Sequence, residues 1–298
     1  MRRLIPSLFV FAMAAFAAGE PTPMPIWPSG PPGDTSNFGA QTDNITPSTR
    51  LIAGRPFNQL TNIINPTISI FRPPKEKDSG TAVLVFPGGS YRILAIDMEG
   101  TEICQWLNSI GITAILLRYR VPARPGKPNY ADPLQDAQRA VGLVRSHAEE
   151  WHINPNRIGV LGFSAGGHLA AAVSNNYEKR SYPAQDAADS VSCRPDFTVL
   201  IYPAYLASRT EVGKLSPEIA VTANTPPAFL IQAEDDPVRV ENCLYYFLAL
   251  KNAKVPAEMH LYATGGHGYG MRPTGEPIAA WPSLAEKWFH TRGLLGAK

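Results

Sequence analysis

One serine in this chain stands where it could act as a nucleophile. Residues 162–166 read Gly-Phe-Ser-Ala-Gly, follow the apolar run at residues 157–161 and open a small-residue helix over residues 168–173. In a sharp strand-to-helix turn, glycines let backbone approach closely while the central residue takes a strained conformation. The helix aims free N–H groups and its positive dipole end at the same point. The pattern predicts that Ser164 is a nucleophile; a plain tight turn is the alternative.

An acid and a histidine follow in the order that a Ser-Asp-His triad requires. Residues 226–233 form an apolar run that predicts a buried strand, and Asp235 and Asp236 come directly after it. The strand predicted over residues 257–262 runs into a glycine-rich loop that carries His267. In such a triad the imidazole takes the serine proton and the carboxylate fixes the imidazole tautomer. An ordinary surface-loop histidine is the alternative for His267.

The two adjacent aspartates cannot both face the histidine. We favour Asp235 as the orienting acid because it lies three residues before Val238 after a buried strand, a pattern that resembles the acid turn of serine hydrolases. Asp236 is then expected to cap the helix that begins near Arg239. It remains the second choice for the acid.

Stabilising an oxyanion requires a second N–H donor besides the backbone N–H of the residue after the nucleophile. The residue after the serine, Ala165, is one candidate donor. The predicted strand at residues 81–86 ends in Pro-Gly-Gly-Ser-Tyr, which resembles the HGGG-type loop of esterases and lipases. Pro87 stands in place of its histidine and Ser90 in place of its third glycine. The second donor is therefore either Gly89 or Ser90, and a plain strand-to-loop turn is the alternative.

Three further polar residues lie near these motifs. Tyr91 either binds substrate, by stacking on a sugar or lining an acyl pocket, or packs in the core. Glu99 is near the site in sequence, but its charge would also favour the start of its own helix. His168 lies within the helix after the serine and is expected to pack or hydrogen-bond there, not to accept the serine proton.

Composition and charge point to an exported enzyme with no nucleic-acid partner. The chain has 298 residues, of which 44% are hydrophobic and 17% charged, enough for one globular core. A basic start, an apolar stretch and a small-residue site predict a signal peptide at residues 1–18 and a periplasmic or extracellular location. Removing Arg2 and Arg3 from the 27 lysines and arginines leaves 25, equal to the 25 acidic residues. No later apolar run is long enough for a membrane span.

The cysteines and other metal-binding residue types form no recognisable ligand set. Cys104, Cys193 and Cys243 fit neither a metal pattern nor a disulfide framework, although one pair could bridge in an exported protein. We therefore expect a reaction without metal or other cofactor.

The order of predicted elements indicates the fold. Residues 19–60 are rich in Pro, Gly, Ser, Thr and Asn and predict an irregular N-terminal arm. Over residues 61–298 strands alternate with helices, which predicts an α/β domain with a mainly parallel sheet covered by helices on both faces. Two irregular segments, residues 176–195 and 211–225, are candidate lids or substrate-facing insertions.

Several motifs together resemble bacterial exported α/β-hydrolases of the acetylxylan and feruloyl esterase-like branch. The resemblance spans roughly residues 63–289 and rests on residues 86–91, 97–100, 117–122, 162–168, 193–197 and 265–268. It implies an α/β-hydrolase fold and hydrolysis of acyl, typically acetyl, esters on plant cell-wall polysaccharide. By the same resemblance, the nucleophile, acid and base fall on Ser164, Asp235 and His267. The oxyanion donors fall on Gly89, Ser90 and Ala165.

These motifs predict a serine esterase that works through an acyl-enzyme on acetylated or feruloylated oligo- or polysaccharide. A serine peptidase of the prolyl-oligopeptidase type shares the triad order, but such enzymes usually carry a large extra domain. A catalytically silent binding protein with a hydrolase fold is a third hypothesis, which the apparently complete triad disfavours. The oligomeric state is left open.

Overall fold

The computed structural model describes residues 20–33 and 44–296. Its core is an eight-stranded sheet in the order β1-β4-β7-β5-β8-β9-β10-β11, which confirms the predicted mainly parallel α/β fold. The six strands from β7 to β11 in that order run parallel, while β4 and β1 are antiparallel at one edge. The strands are β1 (Met24–Pro25), β4 (Thr67–Phe71), β5 (Ala82–Phe86), β7 (Thr113–Arg118), β8 (Ile158–Phe163), β9 (Phe197–Ile201), β10 (Ala228–Ala233) and β11 (Ala257–Tyr262).

The central strands are apolar along their whole length because helices cover both faces of the sheet. Every residue of β5, β8, β9 and β10 is buried. Two groups of helices pack together: α2 against α3, and α1 against α5 through the rings of Trp106 and Trp281, whose centroids are 5.1 Å apart. The helices are α1 (Glu102–Ser109), α2 (Ala131–Ser146), α3 (Ala165–Asn175), α4 (Glu241–Asn252) and α5 (Trp281–Thr291).

The described residues of the N-terminal arm, 20–33 and 44–60, contribute to three short strands. β1 pairs with the edge of the main sheet, and the indole N–H of Trp27 donates to the buried Asp136 carboxylate at 2.9 Å. A second, antiparallel sheet contains β2 (Asn44–Pro47), β3 (Asn58–Thr61) and β6 (Leu94–Ala95) in that order. Because β6 follows the loop at residues 87–91, this small sheet brings the arm next to the predicted oxyanion loop.

Other sequence predictions fall partly outside the described residues. The predicted signal peptide at residues 1–18 lies in the part that is not described. Across residues 20–33 and 44–296, no helix combines the length and the apolar character that a membrane crossing needs.

All three cysteines are described, and each is buried with a free thiol.

Candidate active site

Ser164 occupies a strained turn between β8 and α3. Its φ of 51° and ψ of −118° lie outside the regions that residues with a Cβ prefer, and such strain is typical of functional turns. A Cβ on Gly162 would collide with the carbonyl oxygen of Gly166, and one on Gly166 would collide with that of Phe86. Both glycines are therefore needed for the chain to turn this tightly. The predicted strand-turn-helix context of the serine is present.

His267 contacts the serine hydroxyl. Its Nε2 lies 2.8 Å from Ser164 Oγ, and 17% of the His267 side chain is exposed. The imidazole packs edge-on against the buried Tyr202 ring, with centroids 4.9 Å apart. The backbone carbonyl of His267 accepts a hydrogen bond of 2.6 Å from the Arg50 guanidinium. The histidine loop is therefore held both by the domain core and by the N-terminal arm.

The acid that faces the histidine is Asp236. Its Oδ2 lies 2.9 Å from His267 Nδ1, and its side chain is fully buried. A carboxylate only accepts, so the proton lies on Nδ1 and leaves Nε2 free to accept from the serine hydroxyl. The other carboxylate oxygen, Oδ1, accepts the Val238 N–H at 2.7 Å instead of capping a helix.

The prediction that Asp235 orients the histidine is therefore not what the structure shows. Asp235 is exposed, and its Oδ1 accepts the backbone N–H of Gly266 at 2.8 Å. It anchors the histidine loop through the main chain. The Asp-Pro pair at residues 236–237 was the missed signal, because an aspartate that begins a turn can accept the N–H two residues onward and so turn its side chain inward.

The loop after β5 offers candidate oxyanion donors beside the serine. A Cβ on Gly88 would lie 2.9 Å from the Cβ of Ser164, so the loop backbone passes directly over the nucleophile. In the described part of the chain, the N–H groups of Gly89, Ser90 and Ala165 donate to no protein acceptor. All three predicted donors are thus available.

A buried glutamate that the sequence left ambiguous supports this loop. Glu99 is 3% exposed and accepts hydrogen bonds from the Gly88 N–H at 2.7 Å and the Tyr202 hydroxyl at 2.7 Å. The Tyr202 oxygen in turn accepts the N–H of Gly270, in the histidine loop, at 2.9 Å. Glu99 therefore connects the oxyanion loop and the histidine loop through one carboxylate.

Burial opposes the negative charge of Glu99. Desolvation raises the pKa of this carboxyl above its usual range, while the hydrogen bonds from Tyr202 and Gly88 and the nearby His267 act in the opposite direction. A charged group without water is retained only where its hydrogen bonds are made. The Glu99 carboxylate makes both of its hydrogen bonds, with the Gly88 N–H and with the Tyr202 hydroxyl.

Two pockets flank the oxyanion loop. The smaller, of about 130 Å³, lies directly at Ser164 and His267 and has apolar walls that include Phe57 and Met98. The larger, of about 910 Å³, is lined in part by Tyr91, Tyr205 and segment 216–218. Gly89, Ser90 and Ile93 line both pockets. Of the two irregular segments predicted to face substrate, residues 211–225 reach a pocket and residues 176–195 line neither.

Tyr91 lies at the larger pocket but is 1% exposed. Its hydroxyl is 2.7 Å from Nδ1 of His168, and its ring lies nearly parallel to that of Tyr205, with centroids 6.3 Å apart. The buried ring does not offer an open face to a ligand. His168 is hydrogen-bonded within this cluster and lies apart from the serine hydroxyl, as the sequence predicts.

The strand order and the arrangement of serine, histidine and aspartate define an α/β-hydrolase. Comparisons with known proteins agree with this class. The BD-FAE family matches residues 68–194, and the prolyl oligopeptidase family matches residues 132–289. The chain therefore belongs to the prolyl oligopeptidase family of α/β-hydrolases, among relatives that are named as esterases.

Three relatives illustrate that similarity. Over 65% of its length the chain is 32% identical to an acetylxylan esterase of Xylanibacter ruminicola, and over 62% it is 30% identical to endo-1,4-beta-xylanase B of Butyrivibrio fibrisolvens. The chain spans only 42% and 32% of those two proteins. Among solved structures, the chain resembles the acetyl ester-xyloside bifunctional hydrolase from Caldicellulosiruptor lactoaceticus. The two sequences are 33% identical and the structures superpose with a TM-score of 0.72, over 95% of this chain and 100% of that one.

Proposed function

We propose that this protein is a serine esterase that removes acetyl groups from plant cell-wall polysaccharide through an acyl-enzyme. The observation that carries the proposal is the hydrogen-bonded row from Ser164 Oγ to His267 Nε2, at 2.8 Å, and from His267 Nδ1 to Asp236, at 2.9 Å. Relatives named acetylxylan esterase and acetyl ester-xyloside hydrolase support the substrate class.

The first half of the reaction forms the acyl-enzyme. As Ser164 Oγ bonds to the ester carbonyl carbon, its proton passes to Nε2 of His267, and the buried Asp236 stabilises the imidazolium. The carbonyl oxygen becomes an oxyanion beside the free N–H groups of Ala165 and the loop at residues 89–90. The bond from carbon to the alcohol oxygen then breaks, and that oxygen takes the proton from Nε2.

The second half repeats the chemistry with water. His267 accepts a proton from water while the water oxygen bonds to the acyl carbon, and the same N–H groups stabilise the second oxyanion. The bond between carbon and Ser164 Oγ breaks, Oγ recovers its proton from Nε2, and the carboxylic acid leaves. No atom beyond the ester, one water and the triad is required.

The decisive experiment measures acetate release from acetylated xylan and from a small aryl acetate, with the wild type and Ser164→Ala. Hydrolysis of both substrates, lost in the variant, is the expected result. Hydrolysis of the aryl acetate alone would support the esterase activity and contradict the polysaccharide substrate. No Ser164-dependent hydrolysis would refute the proposal.

A peptidase activity is the second candidate, because the prolyl oligopeptidase family matches residues 132–289. Hydrolysis of a peptide amide, measured beside the acetyl ester, separates the two activities. The small pocket of about 130 Å³ at the serine favours the acetyl ester. Catalysis of peptide cleavage with no acetate release would favour the peptidase.

We further propose that the protein is exported, on the basis of the predicted signal peptide at residues 1–18. Fractionation of cells that produce the full chain, with sequencing of the mature N-terminus, tests this. Protein that stays uncleaved inside the cell would contradict export.

A further inference from the structure

The larger pocket has a polar floor built from three linked side chains. Tyr91 lies 2.7 Å from Nδ1 of His168, and Nε2 of His168 lies 3.0 Å from a carboxylate oxygen of Glu218. Because a carboxylate accepts, Nε2 carries the proton and donates to Glu218, and Nδ1 accepts from the Tyr91 hydroxyl. Both ring nitrogens of His168 therefore have hydrogen-bond partners, and the residue is 1% exposed.

This floor presents a fixed negative charge to the pocket. The Glu218 side chain is 17% exposed. Burial acts to raise the pKa of this carboxyl, but the hydrogen bonds from His168 and from the Glu218 backbone, with the nearby His168 ring, together hold the pKa below its usual range. A carboxylate offers about four acceptor sites, of which His168 occupies one. Glu218 is therefore an oriented acceptor for hydroxyl groups that enter the pocket.

The walls of the pocket are aromatic. Tyr130 and Tyr205 are each partly exposed, and their rings lie 5.5 and 5.9 Å from that of His168. Tyr205 has a φ of 60°, a conformation that costs energy in any residue with a side chain. Its ring stacks against that of buried Tyr91, and the Arg209 guanidinium carbon lies 5.5 Å from the Tyr205 ring centroid. The strained backbone thus holds an aromatic ring at the pocket surface.

The position of the pocket relative to the serine assigns it to one half of an ester. Ester cleavage at Ser164 divides the substrate into an acyl part and an alcohol part. The pocket of about 130 Å³ beside Ser164 has room for roughly four water-sized groups, which suits a short acyl chain. The pocket of about 910 Å³ begins on the other side of residues 89–90 and is the space left for the alcohol.

We propose that the larger pocket is a glycosyl-binding site for the alcohol part of the substrate, with Glu218 as hydroxyl acceptor and Tyr205 as an aromatic wall. A pyranose ring has apolar C–H faces and a rim of hydroxyl groups, so it matches aromatic walls above a carboxylate. The volume lies in the range of small-molecule sites and is ample for a sugar ring. This assignment rests on the proposed esterase function, but direct binding can test it separately.

The kinetic test compares two acetates that differ only in the alcohol, ethyl acetate and an acetylated xylo-oligosaccharide. For Glu218→Gln and Tyr205→Ala, kcat/KM for the sugar ester is expected to fall about 10-fold more than kcat/KM for ethyl acetate. Glu211→Gln, an exposed change in the same segment that lines neither pocket, is the matched control and keeps the wild-type ratio.

The binding test uses the unacetylated xylo-oligosaccharide and the Ser164→Ala protein, so that no turnover is needed. Calorimetry is expected to detect binding that Glu218→Gln, added to Ser164→Ala, weakens about 10-fold. Circular dichroism of each variant establishes that it is folded before its affinity is compared.

The outcomes separate this proposal from the proposed function. Ser164-dependent hydrolysis of ethyl acetate, with an unaltered substrate ratio in both pocket variants and no sugar binding, overturns the glycosyl site and leaves the esterase. Loss of all esterase activity, together with sugar binding that still depends on Glu218, overturns the esterase and leaves the glycosyl site. A pocket that binds aryl alcohols in preference to the sugar also overturns the assignment.

Discussion

A carboxylate oxygen of Glu99 accepts the backbone N–H of Gly88 at 2.7 Å, in the loop that passes next to Ser164. This hydrogen bond occupies one N–H of the loop, while those of Gly89 and Ser90 donate to no acceptor in the described part of the chain. The other oxygen of Glu99 accepts from Tyr202, which is bonded to the histidine loop. One buried acid therefore positions both the donors and the base.

Glu99→Gln is expected to lower kcat about 10-fold with a smaller effect on KM. An amide has a single acceptor oxygen, so glutamine cannot accept from both Gly88 and Tyr202, and one buried donor loses its partner at a cost of about 1–3 kcal/mol. Steady-state kinetics with an aryl acetate test this, with Glu150→Gln at an exposed site as the control. Unchanged kcat would show that the loop holds its shape without Glu99.

The same substitution should change how stability depends on pH. Because burial raises the pKa of Glu99 in the folded state, its ionisation opposes folding as pH rises past about 4.3, the ordinary glutamate value. Glutamine does not ionise. The difference in unfolding free energy should therefore move in favour of Glu99→Gln between acid and neutral pH, as urea titrations can measure. A difference that is constant over this range would contradict the raised pKa.

Exchanging the two aspartates for asparagine should give very different enzymes. Asp236→Asn is expected to lower kcat about 10⁴-fold, because the amide can donate to Nδ1 and so force the proton of His267 onto Nε2, where it blocks the serine. Asp235→Asn should cost less than about 10-fold, because asparagine still accepts the Gly266 N–H. Similar losses in both variants, measured by ester hydrolysis, would refute the assignment of the acid.

The small pocket should restrict the acyl chain. With about 130 Å³ at the serine, acetyl and propionyl esters should be hydrolysed at least about 10-fold faster, by kcat/KM, than the hexanoyl ester of the same alcohol. Phe57→Ala should reduce that preference, because Phe57 forms part of the pocket wall. A flat chain-length profile in the wild type would show that the acyl group lies elsewhere.

A buried ion pair between α2 and segment 176–195 should make stability depend on acid pH. The Arg139 guanidinium lies 3.1 Å from Asp189, whose side chain is fully buried. Burial acts to raise the pKa of Asp189, but hydrogen bonds from Gln185, Tyr182 and Arg139 together hold it below its usual range. Its stabilising contribution is therefore present above about pH 3.9 and is lost as pH falls through the lower folded value.

Asp189→Asn should accordingly reduce the free energy of unfolding by about 1–3 kcal/mol at pH 7, because a buried charged acceptor is lost. Arg139 keeps its second ion pair, with Asp186. The deficit relative to the wild type should shrink below about pH 3.9. Urea unfolding at pH 7 and pH 3 measures it, with Glu150→Gln as the surface control. An equal deficit at both pH values would contradict the depressed pKa.

Local patterns carried much of the fold and part of the site. The strand-turn-helix around Ser164 and the histidine loop are contiguous in sequence, so glycine spacing and apolar runs suffice to predict them. The strand predicted at residues 257–262 is β11 itself. The helix that we expected to start at Glu99 is α1, which begins at Glu102 because a π-helical turn at residues 97–101 precedes it and buries Glu99.

The rest depended on which polar groups become buried, which no local pattern specifies. Asp235 and Asp236 differ in sequence only by one position, yet the turn after β10 exposes one and buries the other. The role of Glu99 depends on Tyr202, which is distant in the chain. Arg50 and Phe57 line the small pocket at Ser164. They come from an arm whose composition suggested no functional site.

The two-residue strand β1 also affects the behaviour of the molecule at high concentration. Among the described residues it is the outermost strand at its edge of the sheet, and one of its two residues is Pro25, paired with Thr67. Proline has no N–H to offer an incoming strand, and so short an edge gives little template for one. Where β1 covers β4, at Thr67 and Ile68, this edge is therefore a poor template for pairing with another chain.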